Sequence, residues 1–161
     1  MAREHREFAT TTVAAPAGTV WDLLCALDRY GEWLESTTEL LATDGEARLG
    51  AIFEERSRIS GVWMATIRWT VTEFEPLRRL AFEGTGVAVV TGLGFAVDLE
   101  AVGPATELTL SLWYRPRFGP LGTFLDWVTR SNVTNDQKRS VRTLAFLAEG
   151  RGGLDLAPPE A

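Results

Sequence analysis

Few side chains in this sequence are equipped for proton or metal chemistry. His5 is the only histidine and Cys25 the only cysteine. A multi-histidine metal site, a cysteine-based zinc cluster and an internal disulfide therefore cannot be assembled, and a Ser/His/Asp triad is not expected from a lone histidine so near the N-terminus. His5 falls in an N-terminal segment expected to be loose, and Cys25, set among Leu23, Leu24 and Leu27, reads as a core thiol rather than a nucleophile. Tyr114 is the better candidate. It shares the strand face of Leu108, Leu110 and Leu112, which would carry its hydroxyl toward an interior where it could hold an enolate or move a proton. The alternative is a strand-end tyrosine with an apolar body and a wet tip.

The remaining candidates lie in "GAIFEERSRI" (50–59), which runs into "WMATIRWTV" (63–71). Even spacing puts Trp63, Ala65, Ile67, Trp69 and Val71 on one apolar face of an extended chain. A two-residue turn at Ser60-Gly61 sets Arg58 opposite Trp63 and Glu54 opposite Ile67, so that Ile52, Glu54, Arg56 and Arg58 share the tryptophan face. A three-residue loop sets Ile59 opposite Trp63 and turns Phe53, Glu55, Ser57 and Ile59 inward instead. A slip of one residue reverses every side chain, and both registers remain open. In either, the charges can also sit near the sheet edge in water or pair with each other.

The elements that would position these groups are legible from periodicity. "EFATTTV" (7–13) is a strand, Pro16 suits the start of a helix, and "VWDLLCAL" (20–27) is apolar on nearly every side, as a mostly buried helix is. Asp28 is placed to cap a short turn, "DRYGEWL", that presents Tyr30 and Trp33. From Thr37 to Arg115 six strand-like segments follow, broken at Asp44-Gly45, Ser60-Gly61, Pro76, Gly84 to Gly86 and Gly103-Pro104, the spacing of an antiparallel meander. Leu93, Phe95, Val97 and Leu99 share one face of the sixth strand, leaving Asp98 and Glu100 on the solvated face. "TGLG" (91–94) lacks the lysine and strand-to-helix junction of a phosphate loop and reads as small residues that admit a close neighbour. "GTG" (84–86) reads as a turn.

The last element, 118–149, has no breaker after Gly122. About 29 helical residues would span about 45 Å, enough to cross a sheet. Apolar residues cluster at its ends, and the middle, "RSNVTNDQKR", is polar almost all round. A helix lying on an apolar sheet normally carries an unbroken stripe. The expectation is that the centre arches over a space or stays solvated, leaving a gap either way. The Gly- and Pro-rich ending, 150–161, is expected to be disordered.

Composition narrows the partners. With 161 residues, 45% of them hydrophobic and 24% charged, the chain suits one domain, taken as 1–149. A net charge of -6 argues against a nucleic-acid or anionic-membrane surface. There is no signal-like apolar segment and no run of about 18 apolar residues, so integral membrane contact is not expected and a cytoplasmic location is. No metal or other cofactor is implied.

Four stretches, "TTVAAPAGTVWDLLCALDRYGEWL", "IRWTVTEFEPLRRLAFEG", "LEAVGPATELTLSLWY" and "GPLGTFLDW…SVRTLAFLAE", together resemble the START-like (SRPBCC, Bet v 1-like) superfamily of polyketide cyclases, dehydrases and lipid-transfer proteins. The resemblance covers residues 7–149 and is nearest to the small polyketide cyclase/dehydrase-like proteins common in actinomycetes. It implies an α+β helix-grip: a curved seven-stranded antiparallel sheet around a long C-terminal helix, with a deep apolar cavity between them. The group has no universal catalytic motif, so no residue is transferred as catalytic.

The expected function is binding of a hydrophobic, polycyclic or polyketide-like molecule for carriage, sensing or sequestration, including self-resistance. The alternative is an aromatase/cyclase or dehydrase, with Tyr114, Arg58 and Glu54 as the candidates for moving protons. A third class, an assembly partner, would show an exposed apolar patch. The expected ligand wall combines Trp33, Trp63, Ile67 and Trp69 with Phe82, Phe95, Leu110 and Tyr114, closed from the long helix by Phe124, Trp127 and Val128. The protein is expected to be a monomer or homodimer.

Overall fold

The computed structural model describes residues 3–59, 63–117 and 119–150, with residues 119–132 described by backbone alone. The chain runs β1 (His5–Val13), α1 (Ala17–Cys25), a 3-10 turn (Leu27–Arg29), α2 (Tyr30–Trp33), β2 (Thr37–Thr43), β3 (Ile52–Ile59), β4 (Trp63–Glu75), β5 (Arg79–Thr85), β6 (Val90–Val102), β7 (Ala105–Pro116) and α3 (Gly119–Ala148). The seven strands form one antiparallel sheet in the order β1-β7-β6-β5-β4-β3-β2. Consecutive strands pair as a meander, and β1 returns to the free edge of β7. The expected α+β helix-grip is the observed fold, with six of the strand segments placed to within about two residues.

Period-two alternation decides which face is buried. Phe95, Val97 and Leu99 on β6 pair across with Leu112, Leu110 and Leu108 on β7, and this face carries the core. α1 begins after Pro16, whose carbonyl accepts the Thr19 and Val20 amides, and buries Val20, Trp21, Leu23 and Leu24. Asp28 lies inside the 3-10 turn, and no side chain caps either that turn or α2.

β4 keeps its inner face by a β-bulge. Val71 pairs with Phe82 but Glu73 with Ala81, so Thr72 is one residue extra. The inner phase passes from odd to even positions, and Phe74 turns inward to meet Trp21 edge-on at 5.4 Å between centroids. On the outer face, "TGLG" does admit a close neighbour. A Cβ added to Gly94 would lie 2.3 Å from the Trp113 indole, so only glycine lets that ring lie flat on β6. Gly84 does the same inside, where its Cβ would fall 2.7 Å from the Trp69 ring. It belongs to β5 rather than to the turn expected at 84–86.

His5 is not in a loose segment. It opens β1 opposite Tyr114, and the two rings stack at 5.4 Å and 22°. In the polar middle of α3, residues 133–140 reach β1 and the segment after α2 through polar side chains. Thr134 donates to the Glu7 carboxylate, Gln137 Nε2 donates to the Glu7 carbonyl, and Ser140 Oγ accepts the Glu35 amide. Gln137 and Ser140 are buried because they have partners that an aliphatic residue could not satisfy. The tail beyond Gly150 lies outside the described residues.

Candidate functional site

Pairing of β3 with β4 selects the second register. Ile59 faces Trp63, Glu55 faces Ile67 and Phe53 faces Trp69, so Phe53, Glu55 and Ser57 point inward. Glu55 is fully buried. The indole Nε1 of Trp69 donates to one carboxylate oxygen at 2.7 Å, and the Thr37 hydroxyl donates to the other. Both donors are neutral, and no lysine or arginine stands among the groups acting on this carboxyl. Burial lifts its proton affinity above the ordinary carboxyl range, and the Thr37 and Trp69 hydrogen bonds pull the other way.

Each element contributes one part of this arrangement. β3 carries the carboxylate, β4 the indole, and β2, entered directly from α2, the hydroxyl of Thr37. Gly84 gives the indole room to lie across β5 and reach a glutamate on the opposite neighbour strand. Two hydrogen bonds occupy two of the roughly four lone-pair directions of a carboxylate, so Glu55 can accept from a further group.

Around this carboxyl the aromatic rings form a continuous chain. Trp33 meets Tyr30 at 4.7 Å, Tyr30 meets Phe53 at 5.0 Å, and Phe53 meets Phe82 at 5.6 Å. Phe82 stacks on Phe95 at 4.5 Å, and Phe95 meets Trp69 edge-on at 4.8 Å. Tyr30 anchors the chain by donating its buried hydroxyl to the Leu24 carbonyl at 2.6 Å, and burial raises that phenol well above its ordinary value. The result is an apolar floor with one carboxyl on it.

A polar seam joins α2 and the start of β2 to α3 above the floor. Glu35 donates its amide to Ser140 Oγ at 2.9 Å, and Arg139 stands 3.6 Å from the Glu35 carboxylate. Asp136 lies in the same seam. Burial raises its carboxyl above the ordinary value, Arg58 pulls it down, and Glu35 adds to the rise. Two buried polar atoms here have no partner, Nε1 of Trp33 and Oε1 of Gln137.

Most residues of the expected wall are buried. Trp33, Ile67, Trp69, Phe82, Phe95, Leu110 and Tyr114 are all buried. Trp63 is not: it is 55% exposed, because it opens β4 six residues and about 20 Å along the strand from Trp69. Phe124, Trp127 and Val128 fall on α3 with their side chains outside the described residues. Glu54 and Arg58 point to the face opposite Glu55, and Arg58 is exposed. Tyr114 stays apart from Glu55, since β6, β5 and β4 separate β7 from β3, about 19 Å along the sheet.

Elsewhere the chemistry is quiet. Burial pushes the half-buried Cys25 thiol up to about 11, which disfavours the reactive thiolate. Among the described residues, no group of three His, Cys, Asp or Glu side chains could hold a metal, and no helix is long and apolar enough to cross a membrane.

The family model described as polyketide cyclase / dehydrase and lipid transport matches residues 6–149. No curated protein matches the chain in sequence. Among solved structures, the Zhui aromatase/cyclase of a Streptomyces species superposes with a TM-score of 0.78 at 17% identity, covering 92% of this chain and 96% of that one. Norcoclaurine synthase from Thalictrum flavum gives 0.70 at 11% identity, covering 91% and 94%. The di-domain aromatase/cyclase of the steffimycin biosynthetic pathway gives 0.73 at 14% identity, covering 94% of this chain and 52% of that one. At these identities the likeness is one of fold.

Proposed function

The chain belongs to the polyketide cyclase / dehydrase and lipid transport family, and we propose that this member binds an apolar, ring-bearing, polyketide-like small molecule between the sheet and α3. Its rings lie against the Trp69–Phe95–Phe82 face and a hydroxyl donates to Glu55. The observation that carries this reading is a fully buried carboxyl with neutral donors only, set in an aromatic layer. A carboxylate placed there for stability alone would be costly, because burial of an uncompensated charge opposes folding. A ligand hydroxyl supplies a further donor.

The raised proton affinity of Glu55 favours a second reading on the same site, cyclase or dehydrase chemistry. On a β-hydroxyketone the carboxylate takes the proton α to the carbonyl. The acid so formed returns that proton to the β-hydroxyl, which leaves as water while the carbon–carbon double bond forms. A carboxyl whose affinity lies nearer neutrality serves both half-steps better than an ordinary one.

Tryptophan fluorescence titration with a hydroxylated naphthalene, a sterol and a fatty acid tests the first reading, on the native protein and on Glu55→Gln. Saturable micromolar quenching by the naphthol, weakened in Glu55→Gln, supports it. Equal binding of the naphthol to both proteins removes Glu55 from the site, and absence of binding by all three removes the reading.

A further inference from the structure

We infer that Trp33 Nε1 and Gln137 Oε1 are a donor–acceptor pair that reads two oxygen functions of the ligand, a carbonyl and a hydroxyl. This rests on the reading above and specifies the ligand class: a hydroxylated aromatic or enolic ketone, not a plain hydrocarbon or fatty acyl chain.

Both atoms are buried and lack a hydrogen-bond partner, in residues that are 1% and 6% exposed. A buried polar atom left unpaired costs on the order of 1–3 kcal/mol. Two of them, of opposite character and on adjoining elements, call for a common explanation. The orientation of the Gln137 amide is settled by its other end, since Nε2 donates to the Glu7 carbonyl at 3.4 Å and Oε1 is therefore the atom left over. The indole has a donor and nothing to accept it.

Their placement joins them. Ser140 accepts the Glu35 amide at 2.9 Å and pins the turn that follows α2 to α3. Trp33 lies two residues before Glu35, and Gln137 lies one turn before Ser140 on the same helix face. Both residues are thus within about a turn of the hydrogen bond between Glu35 and Ser140, and Trp33 is the end of the ring chain that leads to Glu55. Trp33 Nε1 requires an acceptor, which a carbonyl oxygen supplies, and Gln137 Oε1 requires a donor, which a hydroxyl supplies. A trapped water would also satisfy both, but it would confer no discrimination between ligands.

Four probes on one skeleton separate these cases: naphthalene, 2-acetonaphthone, 2-naphthol and 6-hydroxy-2-acetonaphthone. Each is titrated by fluorescence against the native protein, Trp33→Phe and Gln137→Leu, with Gln137→Met as the alternative where the leucine variant does not fold. Undiminished naphthalene affinity certifies that a variant is intact. We expect 6-hydroxy-2-acetonaphthone to bind tightest. Trp33→Phe should weaken the two ketones by about three- to tenfold and leave 2-naphthol unchanged, and Gln137→Leu should weaken the two hydroxylated probes by a similar factor. With naphthalene affinity undiminished, no loss for any oxygenated probe, or a loss that does not follow the carbonyl for Trp33→Phe and the hydroxyl for Gln137→Leu, overturns the inference while leaving hydrophobic binding in place. Failure of every probe to bind the native protein overturns the binding reading and this inference with it.

Discussion

Glu55 and Asp98 are carboxylates of one sheet, held in opposite ways on its two faces. On the outer face Arg79 places Nη1 2.8 Å from both oxygens of Asp98 and its Nε 2.7 Å from Glu73. These carboxylates raise the guanidinium further, Glu73 most. At the β1–β7 edge Arg115 and Arg6 likewise hold the Glu4 carboxyl below its ordinary value. On the inner face Glu55 has only an indole and a hydroxyl, in a layer from which water is excluded. A cation fixes a carboxylate in its charged form. Neutral donors in an apolar layer leave it able to take a proton. The outer pairs are therefore surface electrostatics, and the inner Glu55 is suited to chemistry or recognition.

Removing the layer should have the largest effect. Phe82 is 1% exposed and touches Tyr30, Phe53 and Phe95. Phe82→Ala should cost about 3–5 kcal/mol in urea denaturation. Trp69→Phe keeps most of the ring but strips a donor from a buried carboxyl, and should cost about 1–3 kcal/mol. That loss should be smaller in acid, where Glu55 is protonated.

The pH dependence has a definite sign. Glu55 binds its proton more tightly in the folded than in the unfolded chain. The stability it contributes is fully present below the unfolded value of about 4.3 and is lost as pH rises through the higher folded value. Within that window the Glu55 contribution should fall by at most about 1.4 kcal/mol per pH unit. Denaturation of Glu55→Gln across the window should lack this component. The smallest effect belongs to the outer face. Arg79→Ala should change stability by less than about 1 kcal/mol, and by less still in high salt, because its partners are solvated.

Much of this was legible in advance. Period two identified the core-facing sides of β6 and β7 from Leu93 to Leu99 and from Leu108 to Tyr114, because large apolar residues recur at every second position there. The register of β3 was not legible. "IFEERSRI" alternates charged residues on both faces over much of its length, so either phase buries a glutamate, and only pairing with β4 decides for Glu55 over Glu54. The bulge at Thr72 was equally hidden, since it is set by β5 pairing rather than by any glycine or proline in β4. The polar middle of α3 was visible as an anomaly, but its partners, Glu7 and Glu35, lie more than a hundred residues away in the chain. Gln137 and Thr37 acquire meaning only once those contacts exist.

The inner face of the sheet holds Glu55 in a protonation regime unlike that of the outer carboxylates. This is tested most directly by a carbon-13 NMR titration of the side-chain carboxyls in the native protein and in Glu55→Gln. The expected result is a resonance that titrates above the ordinary glutamate range and is missing from the variant. A native spectrum in which every carboxyl titrates at or below that range would contradict it.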